Sequence, residues 1–163
     1  MAAVTKAVVV PQRRWVGQSI KRKEDLRLIS GEGRFIDDIQ LPGLLHAVLL
    51  PSPYAHARIK NIDITRALKS PGVVAIFTGK DIAELTDPFP QISPLLENKV
   101  KDYSVAVGKV RFVGEPVAVV VAESRYQAQD AAELIQVEYE PLPVVLDPEK
   151  GLKKDSAILH EEV

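Results

Sequence analysis

The chain has 163 residues, 46% of them hydrophobic and 26% charged, with a formal net charge of -1 and no cysteine. A chain of this length buries roughly 70% of the surface it exposes when unfolded, so one soluble domain, with or without tails, needs no crosslinks. Without cysteine it cannot carry a disulfide scaffold, hold an iron–sulfur cluster or offer a cysteine nucleophile.

Residues 1–19 show neither strand alternation nor helical period and are interrupted by Pro11, so an extended arm is expected. Residues 1–34 carry eight Lys or Arg against three Asp or Glu, whereas residues 35–163 carry thirteen against nineteen. A basic leader on an acidic body suits an arm lying on an acidic surface. As a nucleic-acid arm it lacks stacking platforms, because Trp15 is its only aromatic before Phe35, so no nucleic-acid partner is expected.

Asp25, Leu26, Leu28 and Ile29 suggest a short helix within 23–30, stopped by Gly31 and Gly33. The apolar run 44–50, bounded by Pro42-Gly43 and Pro51-Ser52-Pro53, is a buried strand candidate. In 57–64, Ala57, Ile59, Ile62 and Ile64 alternate with polar residues except for one slip at Asn61, which predicts a half-buried, bulged strand. A helical turn at 65–69 ends at Pro71-Gly72, the β-branched run 73–77 forms a strand, and 79–85 a short helix. Residues 86–99 hold Pro88, Pro90 and Pro94 without any period, which predicts a long loop.

Residues 110–113 and 117–121 read as two strands separated by the turn Gly114-Glu115-Pro116, the second covered on both faces because it is apolar throughout. Ser124 and Gln127 form a capping box. The helix that follows sets small residues Ala128, Ala131 and Ala132, with Ile135, on one face toward a sheet. Val137, Tyr139 and 143–146 predict a closing strand kinked at Pro141-Leu142-Pro143, and residues 148–163 a Lys- and Glu-rich tail. The longest apolar run, near 116–122, is far below the roughly 20 residues that span a bilayer. No charged head with an apolar core opens the chain, so a cytoplasmic protein without a membrane span is expected.

The chain is poor in self-sufficient chemistry. His46, His56 and His160 are the only imidazoles and have no carboxylate at a metal-binding spacing, so hydrogen-bonded structural histidines are expected. Ser52 and Ser93 sit in proline-rich loops without a nucleophile elbow. Gly31-Glu32-Gly33 lacks a third glycine and follows a helix rather than a strand, which makes it a weak phosphate cradle. Asp37 and Asp38 read as solvated charges, since adjacent acids on a strand face opposite ways. Glu115, held between Gly114 and Pro116, is either a carboxylate presented to a neighbour or a residue whose turn serves backbone geometry. The absence of a titratable neighbour in sequence favours the second. No catalytic, cofactor-binding or metal-binding residue is assigned.

Ile20-Lys21-Arg22-Lys23-Glu24-Asp25-Leu26-Arg27-Leu28 and Gly31-Glu32-Gly33-Arg34-Phe35-Ile36-Asp37-Asp38 resemble the start of a known subunit type. It is the molybdenum-binding large subunit of the carbon monoxide dehydrogenase, aldehyde oxidase and xanthine dehydrogenase family of molybdenum hydroxylases. The likeness continues through Ser52-Pro53-Tyr54-Ala55-His56-Ala57, Pro71-Gly72-Val73 and Gly79-Lys80-Asp81-Ile82. It is strongest in Phe112-Val113-Gly114-Glu115-Pro116-Val117-Ala118 and Val137-Glu138-Tyr139-Glu140-Pro141-Leu142-Pro143. The ordered set spans roughly residues 16–163 and is nearest the carbon monoxide dehydrogenase branch.

The resemblance implies an α+β fold, the α/β-hammerhead domain, with a mixed sheet and a few short helices over residues 20–147. It implies an arm at 1–19 before the domain and a tail at 148–163 leading toward absent molybdopterin-binding domains. The chain is then a split subunit or fragment that is not catalytic by itself. The molybdopterin-type molybdenum cofactor, FAD and 2Fe-2S clusters belong to the complete enzyme, and none is bound directly by this chain. The implied partners are the remaining molybdopterin-binding domains or chain, a flavin subunit and an iron–sulfur subunit. By the same resemblance, the loop carrying Phe89, Leu95 and Leu96 approaches the substrate funnel, the alternative being a surface loop with incidental apolar residues. Gly114, Glu115 and Pro116, read from the residues rather than from the resemblance, are an interface turn where Glu115 is presented to a neighbour. The alternative is a stand-alone noncatalytic binding module. A swinging-arm carrier fits poorly, because the only methionine is Met1 and no lysine lies between methionines.

Overall fold

The structure, a computed structural model, describes residues 17–90 and 100–161. It comprises two units, residues 1–41 and 42–163. The described part of the first carries one short helix, α1 (Asp25–Ile29), and a 3-10 turn at Ile36–Asp38. The Arg22 backbone N–H and Nε donate to the Asp25 carboxylate at 3.1 and 2.8 Å, which starts α1, and Gly31 at φ 76° ends it. Leu26 and Ile29 are exposed and α1 buries no residue.

The second unit runs β1 (His46–Pro51), β2 (Ala57–Asp63), a 3-10 turn (Ala67–Lys69), β3 (Val73–Thr78) and α2 (Gly79–Leu85). It continues through β4 (Lys109–Val110), β5 (Pro116–Ala122), α3 (Arg125–Glu133), β6 (Gln136–Pro141) and α4 (Pro148–Gly151). The strands form two three-stranded sheets, β1-β5-β3 and β4-β2-β6. Every pairing is antiparallel. The expected α+β arrangement with a few short helices is what forms, with the strands divided between two sheets. Among the described residues no helix is long and apolar enough to cross a membrane.

β5 is the central strand of the first sheet and serves both cores. Ala118, Val120 and Ala122 point to the helix side and pack with Ala128, Ala131, Ala132 and Ile135. These small residues let α3 lie close to the sheet, as their spacing predicts. Val117 points the other way into a second cluster with Ala57, Ala106 and Val110. Ser124 caps α3 as expected. Its Oγ accepts from the Gln127 N–H at 3.3 Å and donates to the Gln127 side-chain oxygen at 2.8 Å. The slip at Asn61 is a bulge: the β2–β6 register shifts between Ile59 and Asn61, and Ile62 then returns to the inner face.

Four expectations need correction. The run 44–50 is not a buried strand but the edge strand β1, in which His46, Val48 and Leu50 are half-buried while Ala47 and Leu49 are exposed. An edge strand has a neighbour on one side only, so an apolar sequence does not guarantee burial. The strand expected over 110–113 stops at Val110, because residues 112–114 turn away with Gly114 at φ 89°. The closing strand stops at Pro141, where its partner β2 begins at Ala57, and beyond it a single backbone bond, from the Leu142 N–H to the His56 carbonyl, continues the line. The tail is not featureless: Asp147 accepts from the Glu149 and Lys150 N–H groups at 3.0 and 3.4 Å and starts α4, with Pro148 in its first turn.

α2 is capped by the side chain of Asp81, which accepts from the Thr78 hydroxyl at 2.6 Å and the Thr78 N–H at 2.7 Å. Those two bonds, the hydroxyl first, stabilise the carboxylate and hold its acidity below the ordinary 3.8. A lowered folded value means that the stabilisation is complete above the unfolded value and is lost as pH falls through the folded one. Asp81→Asn is therefore expected to lower the urea midpoint at neutral pH, and the gap to the parent protein to close as the pH is taken below 3.8.

Candidate functional site

Consecutive strands alternate between the two sheets, and two of the crossovers, residues 52–56 from β1 to β2 and residues 111–115 from β4 to β5, lie side by side. They are stitched to each other by backbone bonds. The Ser52 N–H donates to the Glu115 carbonyl at 2.9 Å, and the Gly114 N–H donates to the Ser52 carbonyl at 2.8 Å. Ser52 is buried, and its Oγ accepts from the Tyr54 N–H at 3.0 Å. Tyr54 in turn lies against Tyr139 of β6, ring centroids 4.9 Å apart. Burial pushes the Tyr139 hydroxyl above its ordinary 10.0, with a hydrogen bond to Ser52 opposing, so the phenol stays neutral at physiological pH.

His56 is 4% exposed, with its Nδ1 2.6 Å from the Pro143 carbonyl oxygen, while its own carbonyl accepts from the Leu142 N–H at 2.9 Å. It fastens residues 142–143 to the start of β2, the structural histidine expected from sequence. His46 opens β1 opposite Ala122, and His160 lies half-buried in the terminal segment. That segment also folds back: Glu161 lies 3.5 Å from Lys109 Nζ and 3.7 Å from an Arg58 nitrogen, so it spans β4 and β2.

The turn itself is ordered by Glu115. Its carboxylate accepts from the Arg111 backbone N–H and lies 3.7 Å from the Arg111 guanidinium. The Glu115 N–H closes the loop on the Phe112 carbonyl at 3.3 Å. Both charged side chains are largely enclosed, at 18% exposure for Arg111 and 13% for Glu115. The reading that Glu115 has no titratable neighbour in sequence is thus corrected: Arg111, four residues earlier, is its partner. The signal was present but hidden by assigning 110–113 to a strand, where such residues do not meet. Gly114, Glu115 and Pro116 form the buttress of the turn, while Phe112 and Val113 stand outward at 57% and 65% exposure.

Phe89 is 60% exposed, and its N–H donates to the Asp102 carbonyl at 2.8 Å. Asp102 lines a cavity of about 260 Å³ with Lys101, Tyr103, Arg111 and Glu115. The structure therefore brings the start of the 86–99 loop beside the Glu115 turn. Leu95 and Leu96 lie outside the described residues.

The residues described do not fit an iron–sulfur cluster or a directly ligated metal ion. Thiolate ligands for an iron–sulfur cluster do not exist in this chain. Among the described residues no three His, Asp or Glu side chains gather as a metal site. Asp38 is used to cap the turn at Phe35, accepting its N–H at 2.8 Å, and Gly31 closes α1 rather than cradling a phosphate. The arrangement holds the shape of the turn and presents an apolar tip at Phe112 and Val113.

Glu115→Ala should therefore act as a structural mutation. Loss of the Arg111 partner and of the turn bond is expected to cost about 1–3 kcal/mol in urea unfolding. Phe112→Ser, at an exposed tip, should stay within about 0.5 kcal/mol of the parent protein.

Comparison with known proteins gives the relationship. The family described as aldehyde oxidase and xanthine dehydrogenase, a/b hammerhead domain, matches residues 30–143. The 6-hydroxypseudooxynicotine dehydrogenase complex subunit gamma of Paenarthrobacter nicotinovorans is 44% identical over 144 residues, covering 85% of this chain and 18% of that protein. The carbon monoxide dehydrogenase large chain of Afipia carboxidovorans is 43% identical over 148 residues, 91% of this chain and 18% of that one. The crystal structure of a Cu,Mo-CO dehydrogenase superposes with a TM-score of 0.77 at 41% identity, over 90% of this chain and 18% of that chain. The chain thus spans under a fifth of the length of these relatives while nearly all of it is matched. Sequence and fold agree, and the chain belongs to the aldehyde oxidase and xanthine dehydrogenase a/b hammerhead domain family.

Proposed function

We propose that this chain is the hammerhead portion of the molybdopterin-binding large subunit of a cytoplasmic molybdenum hydroxylase of the carbon monoxide dehydrogenase, aldehyde oxidase and xanthine dehydrogenase type. Its part is structural: it docks, and the oxidation or hydroxylation proceeds at a molybdenum centre carried by other domains. The observation that carries this reading is the coverage, 91% of this chain against 18% of the carbon monoxide dehydrogenase large chain. The enclosed use of Glu115 with Arg111 in the turn and of His56 Nδ1 in fastening residues 142–143 supports it. In the complete enzyme the partners are the rest of the large subunit, a flavin subunit and an iron–sulfur subunit, and these supply the molybdopterin, FAD and 2Fe-2S groups.

Two experiments test the proposal. Affinity purification of the chain from its native source should bring down a larger polypeptide with stoichiometric molybdenum, flavin and iron. Recovery as a lone metal-free monomer instead makes it the stand-alone binding module. Within the assembled enzyme, the loop carrying Phe89, Leu95 and Leu96 is assigned to the substrate funnel and the Gly114-Glu115-Pro116 turn to an interface. Replacing Phe89, Leu95 and Leu96 together by alanine should change kcat/KM by about tenfold or more, with substrate selectivity altered. Unchanged kinetics would remove the loop from the funnel.

A further inference from the structure

The two sheets differ in what their outer faces are made of. On the second sheet, the residues pointing away from the core are Arg58 and Lys60 on β2 and Gln136, Glu138 and Glu140 on β6, a face suited to water. On the first sheet, register assigns Val48, Leu50, Ala118, Val120, Ala122, Val73 and Ile76 to the α3 side. The same register pairs Ala47 with Val121, Leu49 with Val119, Ala75 with Val121 and Phe77 with Val119 on the opposite side. Every one of those six side chains is apolar. Leu49 is 54% exposed, Ala47 is exposed as well, and Ala75, Phe77, Val119 and Val121 are half-buried. Val74, the extra residue where the β3 register shifts, adds another apolar side chain at 55% exposure.

An antiparallel sheet with one face in water alternates apolar and polar residues, and β2 and β6 do so. The first sheet does not, so its composition matches a sheet covered on both faces. We infer that this outer face of β1-β5-β3 is a permanent interface with the remainder of the large-subunit polypeptide. This rests on the function proposed above and names the surface through which it operates. The kind of partner follows from chemistry and length. Permanent interfaces resemble a domain core cut in half, whereas surfaces for separable partners are about as polar as the rest of a protein. The relatives carry this fold as 18% of one continuous chain, so a permanent neighbour of more than four times its size accompanies it there.

The absence of cysteine provides a clean probe, because one introduced thiol is the only thiol in the chain. Leu49→Cys tests the dry face and Glu138→Cys, on the exposed side of β6, serves as control. Each variant is treated with a maleimide, once as the isolated chain and once in the assembly purified from the source. Labelling is read from this chain's own peptides by mass spectrometry. The two thiols should react at similar rates in the isolated chain, and in the assembly the Leu49 position should slow by about tenfold or more while the Glu138 position does not. Equal reactivity of both positions in an assembly that does form would overturn the interface while leaving the proposed function standing. Protection at Leu49 already in the isolated chain would also overturn it. Protection that rises with concentration would then point to a second copy, and protection lost on deleting residues 1–41 to the chain's own first unit. Failure of the chain to purify with any larger polypeptide would remove the underlying function, and the interface with it.

Discussion

The second unit depends on the stitch between two of its crossovers, the ones that enter β2 and β5. Ser52 and the Gly114-Glu115 pair exchange two backbone hydrogen bonds where β1 leaves for β2 and where β4 leaves for β5. The sheets share no strand pairing with each other, so how one sits on the other rests on the connections between them, these stitched crossovers among them, and on the apolar side chains behind them. The stitch needs Gly114 at φ 89°, a conformation that costs an ordinary residue roughly 1–2 kcal/mol. It also needs the Glu115 carboxylate turned back on the Arg111 N–H. Buried Ser52, the Tyr54–Tyr139 pair and His56 then fill the space around it. Ser52 Oγ accepts from the Tyr54 N–H and His56 Nδ1 lies against the Pro143 carbonyl, while His56 Nε2 is buried without a hydrogen-bond partner among the described residues. Close approach elsewhere enforces the same frame: a side chain at Gly79 would strike the Ala106 carbonyl, so α2 begins where only glycine fits.

The elements that could be read from sequence are those whose pattern states a local physical requirement. The α3 face was visible because Ala128, Ala131, Ala132 and Ile135 repeat at helical spacing, and the Asn61 bulge because a period-two pattern slips once. α2 begins and ends at the residues expected, since Thr78 and Asp81 supply its cap. What could not be read depends on neighbours. Whether the apolar run in β1 is covered is decided by its place at a sheet edge, which no single strand encodes. The Arg111–Glu115 pair is legible only once the intervening residues are known to turn. The Glu161 bridge to Lys109 and Arg58 joins residues more than fifty positions apart and leaves no local trace. α4 is a different kind of miss, for Asp147 followed by Pro148 was a start signal in plain view.

The same physics bears on the proposed division of labour. A side chain doing acid–base work needs to reach a reacting atom, whereas here the Glu115 carboxylate is turned back on a backbone N–H of its own turn and His56 Nδ1 lies against the distant Pro143 carbonyl. Surface chemistry then becomes the informative quantity. One sheet turns charged residues outward and is complete in water; the other turns six apolar side chains outward and is incomplete without a neighbour. β5 serves both cores: its alternation feeds α3 on one side, while on the other Val117 enters the second cluster and Val119 and Val121 lie on the half-open face. A strand that is apolar at every position is therefore not redundant. It specifies one interior contributed by this chain and a second that only a partner can close, and the stitched crossovers at its start hold that second surface in a fixed orientation.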